Sequence, residues 1–300
     1  MSKFLKHFLW GTVALALSIL LLSCKRKDKT ASLILPNYNY NFNMNAPSEV
    51  SYISKKLKEI SGLTFDASGN ILAINDEKGI IFKLDATSRK IIDKIDFGKN
   101  DDYEGIAFGD NKIFIVESNG NIKVVSSKNY KKLNEYNTKL SAKNDIEGAF
   151  YESENGVLLL ASKSQSKSGT AKVFRFNTEA EKITDSLKFG IDIIPDTDSL
   201  RLLNMVKHVL VNLTIKHRLK QFAPSGIACD PLTGEYYILS SRGKLLVILN
   251  EAGTILAVKF LSRRVFGQPE GIAFDVLGNL YISNEAKSHQ ANVLKFDRIE

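Results

Sequence analysis

The sequence contains few of the residues that form disulfides, bind metal ions or stiffen the backbone. It has 2 cysteines, 4 histidines, 1 tryptophan and 6 prolines in 300 residues. Two cysteines exclude a framework of several disulfides. No pair of histidines has the spacing of a zinc-binding helix, and neither a glycine-rich phosphate loop nor a Gly-x-Ser-x-Gly turn occurs. The common motifs of metalloproteases, nucleotide-binding enzymes and serine hydrolases are therefore absent.

The charge is also not concentrated on any one candidate binding surface. The net charge of +8 arises from 41 basic and 33 acidic side chains that are spread along the chain. No stretch interleaves aromatic residues with arginine, as a nucleic-acid-binding surface would. We therefore expect an ordinarily solvated surface and no nucleic-acid partner.

The N-terminus has the pattern of a bacterial export signal. A short positive region precedes an almost wholly apolar run over residues 8–22, which is too short and too one-sided for a stable membrane span. The sequence Leu21-Leu22-Ser23-Cys24 then resembles a lipobox, whose cysteine receives a diacylglycerol before cleavage. We predict a signal peptide over residues 1–23 and lipidation of Cys24. An uncleaved anchor helix is the alternative interpretation.

The residues after the signal have the composition of a tether that leads to a larger domain. Residues 24–47 hold a basic run and two prolines, which indicates a lipidated tether. With Cys24 acylated, Cys229 has no disulfide partner, so the folded domain must be stabilised by its own core. We predict that this domain spans residues 48–300. We expect a monomer held in the cell envelope, on the outer or inner membrane, facing the periplasm or the exterior.

Five segments of the chain repeat one pattern around a glycine that follows serine or glutamate. These glycines are Gly62, Gly105, Gly148, Gly226 and Gly271. Three of the four intervals are 43, 43 and 45 residues, and each repeat contains apolar strands separated by a turn. A period of this length is typical of one four-stranded propeller blade. The sequence therefore predicts an all-β propeller with five blades.

The remaining interval, from Gly148 to Gly226, is longer at 78 residues. It has room for one blade and a further stretch with apolar residues at helical spacing. This spacing predicts a short helical insertion near residues 198–221. A sixth blade is the alternative, if the interval hides a degenerate repeat.

The last repeat ends after three strands, so a fourth must come from elsewhere in the chain. An unpaired strand edge would invite aggregation. Two segments near the N-terminus, residues 38–44 and 49–57, are candidates for this strand. Either one would join the two ends of the chain and close the ring.

Polar side chains recur at one end of the predicted blades. The residue before each glycine starts the innermost strand, and the second strand ends on the same face because consecutive strands are antiparallel. The residues before the glycines are Ser61, Glu104, Glu147, Ser225 and Glu270. Charged residues at the ends of the second strands are Asp76, Glu117, Lys163, Arg242 and Glu285. We therefore expect one shared, largely acidic mouth.

Carboxylates crowded around one channel repel each other unless a cation, a ligand or raised pKa values compensate. We predict Glu104, Glu147 and Glu270 as metal ligands, with calcium as the candidate cofactor and no cofactor as the alternative. The charged residues at the ends of the second strands are the predicted ligand-binding residues. The architectural interpretation is that each glutamate before a glycine hydrogen-bonds the neighbouring blade.

These motifs together resemble the SdiA-regulated domain family of exported bacterial propellers. The resemblance rests on Glu/Ser-Gly-Ile-Ala-Phe-Asp openings, Gly-Asn-Leu-Tyr-Ile turns and Asn-Glu or Asn-Asp strand ends, and it covers residues 50–297. It implies the propeller fold but no defined molecular function. Related phytase-like propellers have a calcium-rich acidic mouth, although their clustered aspartates and basic phosphate ligands are not evident here.

Two functions are compatible with these patterns. The first is a lipid-anchored, non-catalytic propeller that binds a small molecule or an envelope protein through the acidic mouth. The second is a calcium-dependent hydrolase of the esterase, lactonase or phytase-like type.

Overall fold

Antiparallel strands make up almost all of the described structure. The computed structural model describes residues 32–34, 38, 40–164, 170–190, 217–287 and 290–299. Two short strands come first, β1 (Ser32–Ile34) and β2 (Glu49–Tyr52), and both join sheets formed by later strands. A single 3-10 turn spans Lys55–Leu57, and residues 217–220 are helical.

The later strands follow one another as five blades in chain order. Blade 1 contains β3 (Ile60–Phe65), β4 (Ile71–Asn75), β5 (Ile80–Leu84) and β6 (Ile91–Asp96). Blade 2 contains β7 (Tyr103–Gly109), β8 (Lys112–Glu117), β9 (Ile122–Ser126) and β10 (Lys132–Tyr136). Blade 3 contains β11 (Ile146–Glu152), β12 (Val157–Ser162), β13 (Thr170–Asn177) and β14 (Lys182–Gly190). Blade 4 contains β15 (Gly226–Cys229), β16 (Tyr236–Ser240), β17 (Leu245–Leu249) and β18 (Ile255–Phe260). Blade 5 contains β19 (Pro269–Phe274), β20 (Leu280–Asn284) and β21 (Asn292–Phe296).

Within the described residues, buried apolar side chains form five clusters, each between two neighbouring blades. Between blades 1 and 2, for example, Ile74 packs with Ile106. Between blades 2 and 3 the rings of Phe114 and Tyr151 lie 4.4 Å apart. Successive strand residues point to opposite faces, and each sheet has a neighbour on both faces. This is why second strands such as β4 are buried along their whole length. The prediction of a five-bladed propeller is confirmed.

The ring is closed by strand β2, which supplies the fourth strand of blade 5. β2 pairs antiparallel with β21, with Ser51 opposite Val293. This strand lies within the candidate segment 49–57. In the other candidate, 38–44, none of the described residues is in a strand; its Phe42 and Met44 are buried in the cluster between blades 4 and 5. Because β2 is far from β21 in sequence, closure ties the start of the propeller to its end.

Strand β1 adds a fifth strand to blade 4 by pairing with β18. The predicted boundary between tether and propeller at residues 47 and 48 stays a prediction, although residues before it pack onto the ring. Of the predicted insertion near 198–221, residues 217–220 are helical and residues 198–216 lie outside the described residues. In the described part of the chain no helix is long and apolar enough to span a membrane.

The five repeated glycines lie where the innermost strands meet at the axis. A Cβ atom on Gly148 would come within 2.8 Å of the Gly226 Cα atom, and one on Gly226 within 2.6 Å of the Glu270 carbonyl oxygen. A Cβ atom on Gly105 would lie 3.0 Å from that of Ala149. Only about 10 Å³ remains open where the glycines meet, room for at most one water molecule. The ring is therefore constricted at the glycines, which separate the mouth from a cavity of about 200 Å³ lined by Phe150, Cys229 and Phe274.

We predict that Gly148→Ala destabilises the protein by about 1–3 kcal/mol, because the added methyl group meets backbone atoms that cannot move aside. Gly267→Ala is the matched control, since a Cβ atom there meets nothing within 4 Å. Denaturant unfolding of both variants measures the difference. Equal stability of the two variants would show that the close approach of Gly148 to Gly226 does not require glycine.

Candidate functional site

The acidic mouth is built by a bulge that recurs at the start of the innermost strands. In blades 1, 2, 3 and 5 the pairing with the second strand shifts by one residue just before or at the glycine. The extra residue in three of these blades is Ser61, Glu104 or Glu147. A bulge leaves one residue outside the ladder and re-aims its side chain. The bulges therefore turn the residues before the glycines toward the axis, as the sequence predicted.

The two serines at this position are architectural. The Ser61 hydroxyl donates to the carbonyl oxygen of Tyr103 in the next blade at 2.8 Å. The Ser225 hydroxyl donates to the carbonyl oxygen of Pro269, also in the next blade, at 3.1 Å. Both serines are buried. The architectural interpretation thus holds for serine, since these side chains join neighbouring blades.

The glutamates at the same position make different contacts. Glu147 is buried and forms an ion pair with Lys163, which follows the second strand of the same blade. The Lys163 backbone N–H donates to the Asp145 carbonyl oxygen at 2.7 Å, which fixes the lysine at the mouth. Burial raises the pKa of Glu147 to about 7, although Lys163 opposes the shift. Burial lowers the pKa of Lys163, but the charge and hydrogen bond of Glu147, together with the charges of Glu270 and Asp145, outweigh it and the net shift is upward.

Glu104 and Glu270 complete an acidic triad with Glu147, and Lys163 is a cation close to all three. Burial raises the pKa of Glu104 to about 10, and the charges of Glu147 and Asp102 add to the shift. Burial also raises the pKa of Glu270, against hydrogen bonds from Ser241 and Gln268 and the charge of Lys163. At neutral pH the triad therefore holds protons that three isolated glutamates would have lost.

A second acidic group lies where blade 5 meets blade 1. Burial raises the pKa of Asp76 to about 6, and the charges of Glu59 and Glu285 add to this. Burial raises the pKa of Glu285 as well, with a further contribution from Glu59. The Gln268 amide donates to the Glu285 carboxylate. Asp76 and Glu285 therefore interact with each other, and Glu285 also interacts with Glu270 and Lys163 of the mouth. Their role in ligand binding stays a prediction.

Glu117 does not join this arrangement. The carboxylate of Glu117 is buried within blade 2, where Lys123, Asn119 and Asn121 bind it. It is the last residue of its strand, and the residue at the mouth is the next one, Ser118. Arg242 is exposed in the loop after β16. The placement of Glu117 in the mouth is therefore corrected: a single residue along a strand separates the mouth from the interior of the blade.

The sequence reasoning missed four polar residues that lie three positions before a glycine. They are Glu59, Asp102, Asp145 and Gln268. Their carbonyl oxygens accept hydrogen bonds from the residues that follow the second strands, Asp76, Ser118, Lys163 and Glu285. The constant offset from the glycine was the signal that could have found them. Lys244, whose pKa burial lowers to about 8, was missed too; the charge of Glu270 opposes that shift.

The contacts of the three glutamates work against the predicted calcium site. Glu147 is already paired with Lys163. Among the described residues, no three histidine, cysteine, aspartate or glutamate side chains are placed to hold a metal ion. The set Glu104, Glu147 and Glu270 thus does not fit calcium as it stands, and the cofactor remains a prediction.

Both the sequence and the fold have counterparts among known proteins. Residues 200–288 match the SdiA-regulated family, so the resemblance predicted from the motifs is confirmed. Glutaminyl cyclase of Myxococcus xanthus has a similar structure, with a TM-score of 0.60 and 14% identity, covering 85% of this chain and 97% of that one. The WD40 repeats of RRP9 match with a TM-score of 0.50 and 8% identity, covering 86% and 99%. At such identities these similarities show the fold alone. No curated protein matches the chain in sequence.

We predict that the triad makes the protein less stable as the pH rises from 4.5 towards 10. A carboxyl group whose pKa is higher in the folded chain than its usual 4.5 binds more protons when folded, so stability falls across that interval. Glu104→Gln should flatten this fall and raise the melting temperature at alkaline pH. Melting temperatures measured across this range test it.

Glu135→Gln serves as the control for this measurement. Glu135 is exposed and bonded to Lys132, which lowers its pKa below 4.5, so its titration lies outside the interval. The same pH dependence in Glu104→Gln as in the unmodified protein would contradict a protonated triad.

Proposed function

We propose that this chain, whose residues 200–288 match the SdiA-regulated family, is a cell-envelope lipoprotein that binds a positively charged ligand over the mouth of its propeller. The observation that carries the proposal is the triad of Glu104, Glu147 and Glu270, which outnumbers its two neighbouring lysines. The charge of Lys163 acts on all three carboxyl groups and that of Lys244 on Glu270, so the site is short of positive charge. An ammonium or guanidinium group would displace the retained protons and form charge-assisted hydrogen bonds.

The shape of the site supports binding rather than passage. The constriction at the glycines leaves no path through the ring from the mouth, so a ligand presents its cationic end to the carboxylates from outside. A small amine or a basic side chain of an envelope protein has this chemistry. Lys163 stays paired with Glu147, and Glu104 and Glu270 receive the incoming charge.

A calcium-dependent hydrolase remains the alternative function. It requires three carboxylates free to bind the ion, and the pairing of Glu147 with Lys163 works against that. Neither solved structure described above argues for an enzyme, because a shared propeller fold supports many activities.

The mouth should bind cadaverine, a simple diamine, more tightly as the pH rises from neutrality towards the pKa of Glu104 at about 10, because the deprotonated carboxylate binds the ammonium group. We expect Glu104→Gln and Glu270→Gln each to weaken binding at least about tenfold, since a hydrogen bond to a charged group contributes about 1.5–3 kcal/mol. Calorimetry in buffers of different ionisation enthalpy would also detect the protons released on binding.

Three controls accompany this titration. Pentanediol, the uncharged counterpart of cadaverine, should not bind, and Glu135→Gln should bind cadaverine like the unmodified protein. Calcium chloride is titrated in parallel. Binding of calcium but not of cadaverine would contradict the proposal and favour the hydrolase.

The lipid anchor gives a separate prediction. Cys24→Ser should abolish incorporation of labelled palmitate and release the protein from the membrane fraction, because the thiol is the acceptor of the lipid. Cys229→Ser is the matched control and should retain the label, since Cys229 lies in a strand of blade 4. Membrane retention and labelling of Cys24→Ser would contradict lipidation at this position.

A further inference from the structure

A cavity of about 340 Å³ lies on blade 5, outside the central mouth. One wall consists of the outer strands β2 and β21, and the loop between β18 and β19 forms the other. This volume falls within the range of small-molecule sites in proteins. Of the mouth residues discussed above, Glu285 alone lines it, at one end.

The cavity wall includes Asn284, the last residue of β20. Its side chain is 3% exposed. The amide nitrogen donates to the Asn292 side-chain oxygen at 2.9 Å and to the Val265 carbonyl oxygen at 3.4 Å. The amide oxygen has no hydrogen-bond partner within the part of the chain that the structure describes. An unsatisfied buried acceptor destabilises a fold by about 1–3 kcal/mol, so its presence calls for an explanation.

Comparison with the other blades shows that this unsatisfied atom is specific to blade 5. The last residue of the second strand is polar and buried in every blade. The other four are Asn75, Glu117, Ser162 and Ser240, and each makes hydrogen bonds to its own blade or to the segment that leads into it. The other blades therefore satisfy this position, whereas in blade 5 the buried, unsatisfied oxygen belongs to a residue of the cavity wall.

The outer part of the cavity is apolar and aromatic. Tyr52 and Val50 are two residues apart on β2, so they share one face of the strand. Tyr52 is 65% exposed. In the sheet register Tyr52 lies opposite Asn292, and Val50 lies opposite Leu294. An exposed ring thus stands beside amide side chains.

We propose that this cavity binds a saccharide unit. Sugar hydroxyl groups both donate and accept, which suits the amides of Gln290 and Asn292 in the cavity wall. The apolar C–H face of a sugar ring packs on an exposed aromatic ring such as that of Tyr52. This site is independent of the amine-binding mouth, because the triad does not line it.

Saturation-transfer NMR on the full chain with maltotriose, chitotriose and sucrose tests the proposal. We expect at least one of these sugars to bind, and Tyr52→Ala to weaken that binding at least about tenfold. Leu133→Ala is the matched control, since Leu133 is 54% exposed on β10, the outermost strand of blade 2. It should bind like the unmodified protein.

Gln290→Leu separates a role in binding from a role in folding. It should weaken sugar binding while changing the melting temperature little, because Gln290 lines the cavity and is exposed. No binding by any of the three sugars would overturn the proposal, as would equal binding by Tyr52→Ala and Leu133→Ala. Cadaverine binding should be unaffected by Tyr52→Ala, so failure here is distinguishable from failure of the mouth.

Discussion

The close approach of five innermost strands at the axis is the constraint on which the rest of the structure depends. Glycine is required there because a Cβ atom would meet the backbone of the next blade, most severely at Gly148 and Gly226. With the strands this close, the ladder shifts by one residue and turns the preceding side chain toward the mouth. The next blade then docks through backbone hydrogen bonds such as Tyr103 N–H to the Asp76 carbonyl oxygen, at 3.0 Å. The same packing that constricts the ring at the glycines therefore creates the acidic site.

This geometry makes the mouth electrostatically strained. Serine at the repeated position joins two blades and adds no charge, as at Ser61. An ionised glutamate at the same position has no proton to donate to a backbone carbonyl oxygen. Three glutamates face only two lysines, Lys163 and Lys244. Retained protons relieve the repulsion. A site that holds protons at neutral pH for want of cations is suited to a positively charged ligand, which is the physical basis of the proposed function.

Blade 5 differs from the others because both ends of the chain build it. Its outermost strand, β2, comes from the N-terminal side, and this brings Tyr52 beside Asn292. In the other blades the four main strands are consecutive in sequence. The composite blade is also the one in which the buried polar residue at the end of the second strand, Asn284, has an unsatisfied oxygen. Ring closure and the blade 5 cavity thus have one origin.

The sequence by itself determined the repeating unit, the number of blades, the order of strands and the residues that begin each innermost strand. The repeats make this prediction possible, because the spacing and the position of the glycine are visible within each of the five copies. Tertiary structure alone decided which charged residues meet. Glu117 and Asp76 have similar places in their repeats, yet one residue along the strand puts Glu117 inside blade 2 with Lys123. Likewise the pairing of Lys163 with Glu147 and the cavity beside Tyr52 depend on contacts between segments distant in sequence. The direction of a side chain and its partner depend on residues that are distant in sequence. The spacing of the repeats along the chain does not specify those residues.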